Sequence, residues 1–528
     1  MANKVNTISE SLKKINEEAN GFGLTRAKLV NANLEIISNR ETDSSVDHSE
    51  IVGRENHVLE VVDLLLSATN QQLSVIPIVG MAGTGFQIEE LGRLNQLKGK
   101  LDIRRLELVK DKEASKNAKL VEKAKVYELG FYWSWNREGN HNNDEEVLEG
   151  LQPHRYLKSL EIVGFGGEKF PSWMLTSHDA RDGFLLYDNL INIQLIDCKK
   201  CEVLPTLGLL PCLRDLYISW MDNVRSIGTE FYGNYNDGGY HKILFPCLKS
   251  LQLWRMRNLV EWTDAMEPTT TGMVFPCLKN LTIRYCEQLK SAPCHFPSLE
   301  KLDISQTNST TFEKISSKLT TLTSLHIWEI SKLASLPEQL LKNNSSLMSL
   351  RIRDCHDLVS LSPHRDVWGF YTSLRSLYIS DCKKLSYLPD GLHTLRSLEN
   401  FEDLHSLSSL TITSCKRLMG LPDGLDYLTR LKYLSIGGFC EELDAFPSLS
   451  SIQHASLETL ELWKLCLSGE LCILVQDRSE WEKKKKKESS PLQELQTIKI
   501  QGPLTKLEKL KIFLVKVIQK QCEYSSPF

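Results

Sequence analysis

The glycine-rich stretch SVIPIVGMAGTGFQIEELGRL carries the residues whose spacing comes nearest to nucleotide chemistry. Gly80 and Gly85 have the spacing of a G-x-x-x-x-G-K-[ST] loop, with Gly83 between them. Such a loop, between a strand and a helix, points backbone amides at phosphate oxygens. Phe86 and Gln87, however, stand where a lysine would neutralise the terminal phosphates and a hydroxyl would bind magnesium. The sequence therefore predicts a degenerate phosphate loop that does not hydrolyse ATP.

Cysteines are the second residue type with possible chemistry, and the chain has fourteen of them. The CKKC stretch at Cys198–Cys201 has the spacing of half a zinc or redox site, but no second pair follows at the spacing of a zinc finger. A leucine pattern, L-x-x-L-x-[IL]-x-x, is followed at its ninth position by Cys198, Cys286, Cys355, Cys382 and Cys415. We predict reduced, structural thiols that bond to backbone groups or pack as small apolar residues, and no catalytic or metal-binding residue.

The same leucine pattern sets the architecture. Its starts lie 21 to 38 residues apart, at Leu157, Leu190, Leu213, Leu248, Leu278, Leu299, Leu322, Leu347, Leu374, Leu407, Leu431, Leu457 and, more weakly, Leu495. One unit cannot bury its leucines alone, whereas stacked units make a continuous core. The period and the alternation predict an α/β leucine-rich-repeat solenoid, a curved parallel sheet with irregular convex loops and short helices.

Changes in composition and the positions of turn-forming residues suggest how the rest of the chain is organised. We predict a helical segment, a linker, a fragment of a P-loop domain, a transition with early irregular repeats, the solenoid and a C-terminal tail, at 1–40, 41–50, 51–90, 91–150, 151–515 and 516–528. The polar stretch 136–146 is predicted to be a loop. The lysine run in 481–491 is predicted to be a solvated insertion, with a nuclear-import or anionic-surface patch as the alternative.

Charge and hydropathy restrict the environment and the partners. The net charge is −4 and the sequence pI about 6.4, so no overall basic field attracts nucleic acid or anionic lipid. The N-terminal residues lack the apolar core of a signal peptide, and the apolar stretches are too short to span a bilayer. We therefore expect a cytoplasmic or nuclear protein without integral membrane association.

The strand register also predicts which side chains lie opposite the leucines, on the concave face. They include tryptophan, tyrosine and arginine, which are the residue types enriched in the hot spots of protein interfaces. We predict a partner-binding surface made by Tyr217, Trp254, Arg284, His326, Trp328, Arg351, Arg353, Tyr378, Tyr433 and Trp463.

Several longer strings resemble one protein family. IVGRENHVLEVVDLLL, LSVIPIVGMAGTG and LPTLGLLPCLRDLYI resemble plant intracellular immune receptors of the coiled-coil, nucleotide-binding, leucine-rich-repeat class. GLQPHRYLKSLEIVGFGGEKFPSWM, at 150–174, is similar to early repeats of the resistance-gene-analogue type. The resemblance implies a non-enzymatic plant defence protein whose repeats recognise a pathogen effector, a host protein or other immune-receptor fragments.

The resemblance also implies a nucleotide site, in part. The family binds ADP or ATP with magnesium, and Gly80, Gly83 and Gly85 match its phosphate loop, whereas Phe86 and Gln87 do not. The switch domain expected after this loop is not found, so the chain resembles an internally truncated receptor and no bound cofactor is expected. The resemblance also implies that the helical segment 1–40 is a remnant of the family's coiled-coil domain. Two alternatives stay open: a residual ADP/ATP switch, and a leucine-rich-repeat adaptor without an immune role.

Overall fold

The computed structural model describes most of the repeat region. The described residues are 87–134, 143–174, 187–233, 243–265, 273–362, 373–388, 407–418, 428, 430–438, 457–465, 471–475, 496–500 and 509–515. The chain divides into two compact units, Met1–Ser74 and Val75–Phe528, and all of the described residues belong to the second. The predicted N-terminal helices, the glycine loop and the lysine run lie outside the described residues.

A single parallel sheet dominates the part of the chain that is described. Its fifteen strands follow one another in chain order across the sheet. They are β1 (Gly99–Arg104), β2 (Val126–Tyr132), β3 (Ser159–Val163), β4 (Asn192–Ile196), β5 (Asp215–Ser219), β6 (Ser250–Trp254), β7 (Asn280–Arg284), β8 (Lys301–Ser305), β9 (Ser324–Trp328), β10 (Ser349–Arg353), β11 (Ser376–Ser380), β12 (Ser409–Thr413), β13 (Tyr433–Gly437), β14 (Thr459–Leu465) and β15 (Lys509–Val515). The predicted leucine-rich-repeat architecture is confirmed.

The connections between these strands contain short elements. Three small parallel sheets pair Ser226–Ile227 with Glu261–Trp262, Ile243–Leu244 with Met273–Val274, and Leu471–Val475 with Gln496–Ile500. The α-helices span Lys112–Lys116, Asp144–Gly150, Thr229–Tyr232, Ser309–Ser316 and Glu338–Asn343. The 3-10 helices span Ile88–Arg93, Leu106–Leu108, Leu120–Glu122 and Ser172–Met174.

The leucine pattern forms the core because neighbouring strands from β2 onward pair without any shift of register. Leu251 of β6 lies beside Leu281 of β7, and Leu253 lies beside Ile283. All four side chains are at most 1% exposed, and the alternate residues of each strand face the other way. Burying each such side chain contributes roughly 1.5–3 kcal/mol, so the stacked leucines hold the units together.

The residue that follows a strand commonly lies in the left-handed region, where it turns the chain out of the sheet. The backbone φ is 59° at Asp197, 58° at Tyr285, 52° at Asp354, 58° at Asp381 and 57° at Ser414. Each is followed by one of the five ninth-position cysteines. We call this end of the strands, where each strand leaves the sheet, the exit edge.

The ninth-position cysteines are all buried, as predicted. Four of their thiols donate to the carbonyl two residues back, at 3.6 Å for Cys198, 3.5 Å for Cys286, 3.5 Å for Cys382 and 3.4 Å for Cys415. Cys201 is also buried and donates to Gly167 O at 3.3 Å. The two thiols of the CKKC stretch therefore bond to backbone carbonyls on different segments.

Two expectations about the ends of elements are wrong. The predicted loop 136–146 includes the start of a helix at Asp144, whose buried carboxylate accepts from Gly166 N at 2.9 Å. The weak repeat predicted at Leu495 does not join the large sheet, since Gln496–Ile500 pairs with Leu471–Val475 instead. Lys509–Val515 is instead the fifteenth strand of the large sheet. Its Leu510 and Ile512 pair with Leu460 and Leu462 of β14.

Candidate functional site: the polar face of the sheet

The residues predicted to bind a partner lie on the face of the sheet opposite the leucines, which we call the polar face. Tyr217, Trp254, Arg284, His326, Trp328, Tyr378 and Tyr433 are partly exposed there, and Arg351 and Arg353 are exposed. The backbone of Trp463 lies in β14 and pairs with Gly437. The alternation of the strands thus puts these positions on one surface, whereas their role in binding stays a prediction.

A groove runs along the middle of the polar face. Its larger part, of ≈ 590 Å³, extends from β6 to β10. A smaller part, of ≈ 320 Å³, continues over β4 and β5 beside Tyr217. The two parts share Ser250 and Gln252, so they form one channel lined mainly by hydroxyl and amide side chains.

A charged triad lies in the larger part of the groove. Arg284 Nε donates to Asp303 Oδ1 at 2.9 Å, its Nη2 donates to Oδ2, and His326 Nδ1 is 3.2 Å from Oδ2. Burial raises the pKa of Asp303, but the hydrogen bonds with His326 and Arg284 outweigh it and hold that pKa below its usual value. The same bond with Asp303 raises the pKa of Arg284. Asp303 is therefore an ionised anchor for its neighbours, while Lys301 and Arg351 also line the groove.

Aromatic rings and guanidinium groups alternate where the strands reach the exit edge. Arg255 Cζ lies 4.3 Å from the ring centroid of Trp220 and 5.0 Å from that of Tyr285. The Tyr285 ring packs on Trp254 at 5.6 Å and edge-on against Trp328 at 5.8 Å. Such contacts stabilise both partners and hold the rings in fixed positions.

The row continues past Trp328. Arg353 Cζ lies 5.8 Å from the centroid of that ring, and Trp328 Nε1 donates to Asp354 Oδ2 at 2.9 Å. We call the whole row the aromatic–arginine ladder: Trp220, Trp254, Arg255, Tyr285, Trp328 and Arg353. It borders the groove with preorganised side chains of the types enriched in interface hot spots.

Sequence reasoning missed three members of this ladder. Trp220, Arg255 and Tyr285 occupy the eighth position of their repeats, with φ of 56°, 53° and 58°. Side chains alternate between the two faces of the sheet only within a strand. The alternation therefore does not predict which face the side chain of a left-handed residue after the strand will join. The available signal was an aromatic residue or arginine directly before the ninth position, in ISWM, LWRM and IRYC.

Near both ends of the polar face, a tyrosine is hydrogen-bonded to a glutamate of the next strand. Near the first strands, Tyr132 Oη donates to Glu161 Oε2 at 2.7 Å, with Arg104 over its ring. Near the last strands, Tyr433 Oη donates to Glu461 Oε2 at 2.6 Å. Burial is the main cause that raises the pKa of Tyr433 to about 12, and the hydrogen bond with Glu461 adds to it. The groove lies between these two pairs, over the middle strands of the sheet.

The part of the chain that the structure describes holds neither a metal-site cluster nor a membrane-spanning helix. No group of three or more His, Cys, Asp or Glu among the described residues has the arrangement of a metal site. Within the described ranges, no helix is long and apolar enough to cross a membrane. Gly80, Gly83 and Gly85 lie outside those ranges, so the vestigial phosphate loop stays a prediction.

Comparisons with known proteins agree with this geometry. A family model described as R13L1/DRL21 LRRs matches residues 88–221. The putative disease resistance RPP13-like protein 1 of Arabidopsis thaliana is 32% identical over 58% of this chain and 29% of the relative. The putative disease resistance protein RGA1 of Solanum bulbocastanum is 34% identical over 52% of this chain and 26% of the relative. A leucine-rich-repeat protein of Leptospira interrogans aligns with a TM-score of 0.35 and 16% identity, over 75% of this chain and 86% of that chain.

The fold and these matches define the class. The chain is a leucine-rich-repeat protein, built as one parallel sheet of stacked units. Part of the chain is similar to plant disease resistance proteins of the RPP13-like and RGA types. The matched part covers less than a third of each of these relatives.

Proposed function

We propose that this chain is a recognition module of a plant defence protein, binding a pathogen effector or a host protein through its polar face. The observation that carries the proposal is the aromatic–arginine ladder beside the ≈ 590 Å³ groove. The relatives named as disease resistance proteins supply the biological setting. Other fragments of immune receptors are the second class of partner.

The chemistry of the face favours a protein partner. The rings are held by guanidinium groups on one side of the groove, so binding costs little side-chain entropy. Hydroxyl and amide groups line the channel and can pair with backbone or polar side chains of a partner. The net charge of −4 gives no general attraction for nucleic acid. We place the protein in the cytoplasm or the nucleus, which a fluorescent fusion would test.

A binding role without catalysis is consistent with the state of the thiols. Burial raises the pKa of Cys198 and of Cys286 to about 12 and that of Cys355 to about 11. A nucleophilic cysteine needs the opposite shift, because the thiolate is the reactive form. These cysteines therefore serve the fold, and we propose that the chain is not an enzyme.

The test is an interaction screen of the full chain against pathogen effectors and host immune proteins, followed by a variant that reverses charge on the polar face. The double variant Arg351→Glu/Arg353→Glu should weaken a captured partner at least about tenfold. Lys314→Glu/Lys318→Glu makes the same charge change at exposed positions away from the sheet, and should leave affinity within about twofold. Failure to bind any member of the screen, or equal loss in both variants, would contradict the proposal.

The glycine loop belongs to the same proposal. We infer that it contributes no nucleotide switch, because Phe86 and Gln87 replace the lysine and the hydroxyl that hold phosphate and magnesium. Titration calorimetry of the full chain with ADP or ATP and magnesium at millimolar concentration should give no binding heat. A saturable heat would instead favour the residual switch.

A further inference from the structure

Three exposed cysteines occupy the same position of three consecutive units. Cys212, Cys247 and Cys277 each stand directly before a leucine that is fully buried, yet all three are exposed and free. Cysteine is among the residues most often buried, so three successive exposed thiols are not explained by core packing. We call them the thiol row.

The register of the sheet places the members of the row beside one another. Cys212, Cys247 and Cys277 lie three residues before the first residues of β5, β6 and β7, which pair in register. Backbone bonds extend this pairing toward the cysteines: Lys249 N donates to Arg214 O at 2.8 Å, and the next two units repeat the bond at 2.9 Å. Adjacent strands are about 4.8 Å apart, and disulfides join Cα atoms separated by about 4.4–6.8 Å.

The turns that carry the row are alike. Leu248 N donates to Phe245 O at 3.3 Å, and Leu278 N donates to Phe275 O at 3.3 Å. Each bond closes a four-residue turn with proline second and cysteine third, which is the usual place of proline in such turns. The first residue of each turn is a phenylalanine with positive φ, 51° at Phe245 and 55° at Phe275. Cys247 and Cys277 therefore leave the backbone from equivalent turns.

The following units show how far a side chain reaches from this position. Ser298 takes the place of the cysteine before β8, and its Oγ donates to Pro276 O at 2.6 Å. Thr321 takes the place before β9, and its Oγ1 donates to Leu299 O at 2.8 Å. A short side chain at this position thus contacts the neighbouring unit.

We propose that the thiol row is a redox site, in which a peroxide joins Cys247 by a disulfide to Cys212 or to Cys277. One thiolate attacks a peroxide oxygen, which breaks the O–O bond and leaves a sulfenic acid and one water. The neighbouring thiol then attacks that sulfur, the S–S bond forms and a second water leaves. Two thiols give up two electrons and two protons, and hydrogen peroxide becomes two waters.

The test treats the full chain with hydrogen peroxide, blocks the remaining thiols with N-ethylmaleimide and maps tryptic peptides by mass spectrometry. Trypsin separates the three cysteines because a lysine or arginine lies between each pair. In the unmodified sequence we expect an intrachain linked pair of peptides that contains Cys247. Cys247→Ser should abolish it, since Cys212 and Cys277 are then two units, about 10 Å, apart.

Matched controls are Cys212→Ser and Cys277→Ser, each of which leaves one adjacent pair. Serine is the residue that the fold itself uses at this position in the next unit, so all three variants keep the local turn. At least one control should retain a linked pair. The proposal is overturned by a Cys212–Cys277 link in Cys247→Ser, by the absence of any linked pair in the unmodified chain, or by links that form only between chains.

Discussion

The two edges of the sheet use the same residue type in opposite ways. At the exit edge, the ninth-position cysteines are buried. Cys286, for example, donates its thiol to Arg284 O, and burial raises its pKa to about 12. At the other edge, where each strand enters the sheet, proline–cysteine turns leave the thiol row exposed. Cys277 and Cys286 are only nine residues apart and belong to one repeat. Position within the repeat, and not residue type, therefore decides the chemistry of a cysteine here.

The edges also differ in what their charged residues contact. At the exit edge, Arg255 lies between the rings of Trp220 and Tyr285. At the entry edge, Arg214 and Lys249 stand two residues after their cysteines and are exposed. One edge is thus a fixed surface for contact and the other a solvated row, which leads to four predictions.

The largest expected difference comes from placing a charge at each edge. Cys286→Asp should lower the free energy of unfolding by about 3–5 kcal/mol, because a carboxylate at a fully buried position has no partner. Cys277→Asp makes the same change at an exposed position and should cost no more than about 0.5 kcal/mol. Urea unfolding of both variants measures the difference. Equal losses would show that the edges do not differ as described.

At alkaline pH, the cysteines of the two edges should also contribute differently to the free energy of unfolding. Burial raises the pKa of Cys286 from 9.0 to about 12, so its thiol stays protonated in the folded chain while it ionises in the unfolded chain. Its contribution is complete below pH 9 and is lost as pH rises from about 9 to about 12, by up to about 1.4 kcal/mol per pH unit. Cys286→Ala should lose less stability over this range than the unmodified chain. Cys277→Ala, the exposed control, should show the unmodified slope.

How much of this was predictable depends on periodicity. The leucine spacing predicts the strands, the polar face and the buried ninth position, because all three follow from alternation along a strand. The left-handed residues at position eight fall where that alternation stops, so Trp220, Arg255 and Tyr285 were missed. The choice between Gln496–Ile500 and Lys509–Val515 as the last strand was missed for another reason. Both segments alternate, and only their pairing with other strands separates them.

A smaller effect is expected from the ladder. Arg255→Ala removes a guanidinium from two aromatic faces and should lower the free energy of unfolding by about 1–2 kcal/mol. It should also change the tryptophan fluorescence, since Trp220 loses its stacked partner. Arg214→Ala at the entry edge is the matched control and should change stability by no more than about 0.5 kcal/mol. If both variants behave alike, the ladder is not held by its arginines.

The smallest effect is expected from a variant that tests whether residue 298 is equivalent to the cysteine positions of the thiol row. Ser298→Cys extends the thiol row by one unit, and it should cost at most about 1 kcal/mol for the lost bond to Pro276 O. In a Cys247→Ser background, the new thiol lies next to Cys277 alone, one unit away. Peroxide should then join Cys277 to residue 298, detected as a new linked pair of tryptic peptides. Ser298→Ala in the same background loses the same hydrogen bond but should form no link. Because the turn, the register and the reach are shared along the row, absence of the new link would mean that the disulfide depends on something other than this geometry.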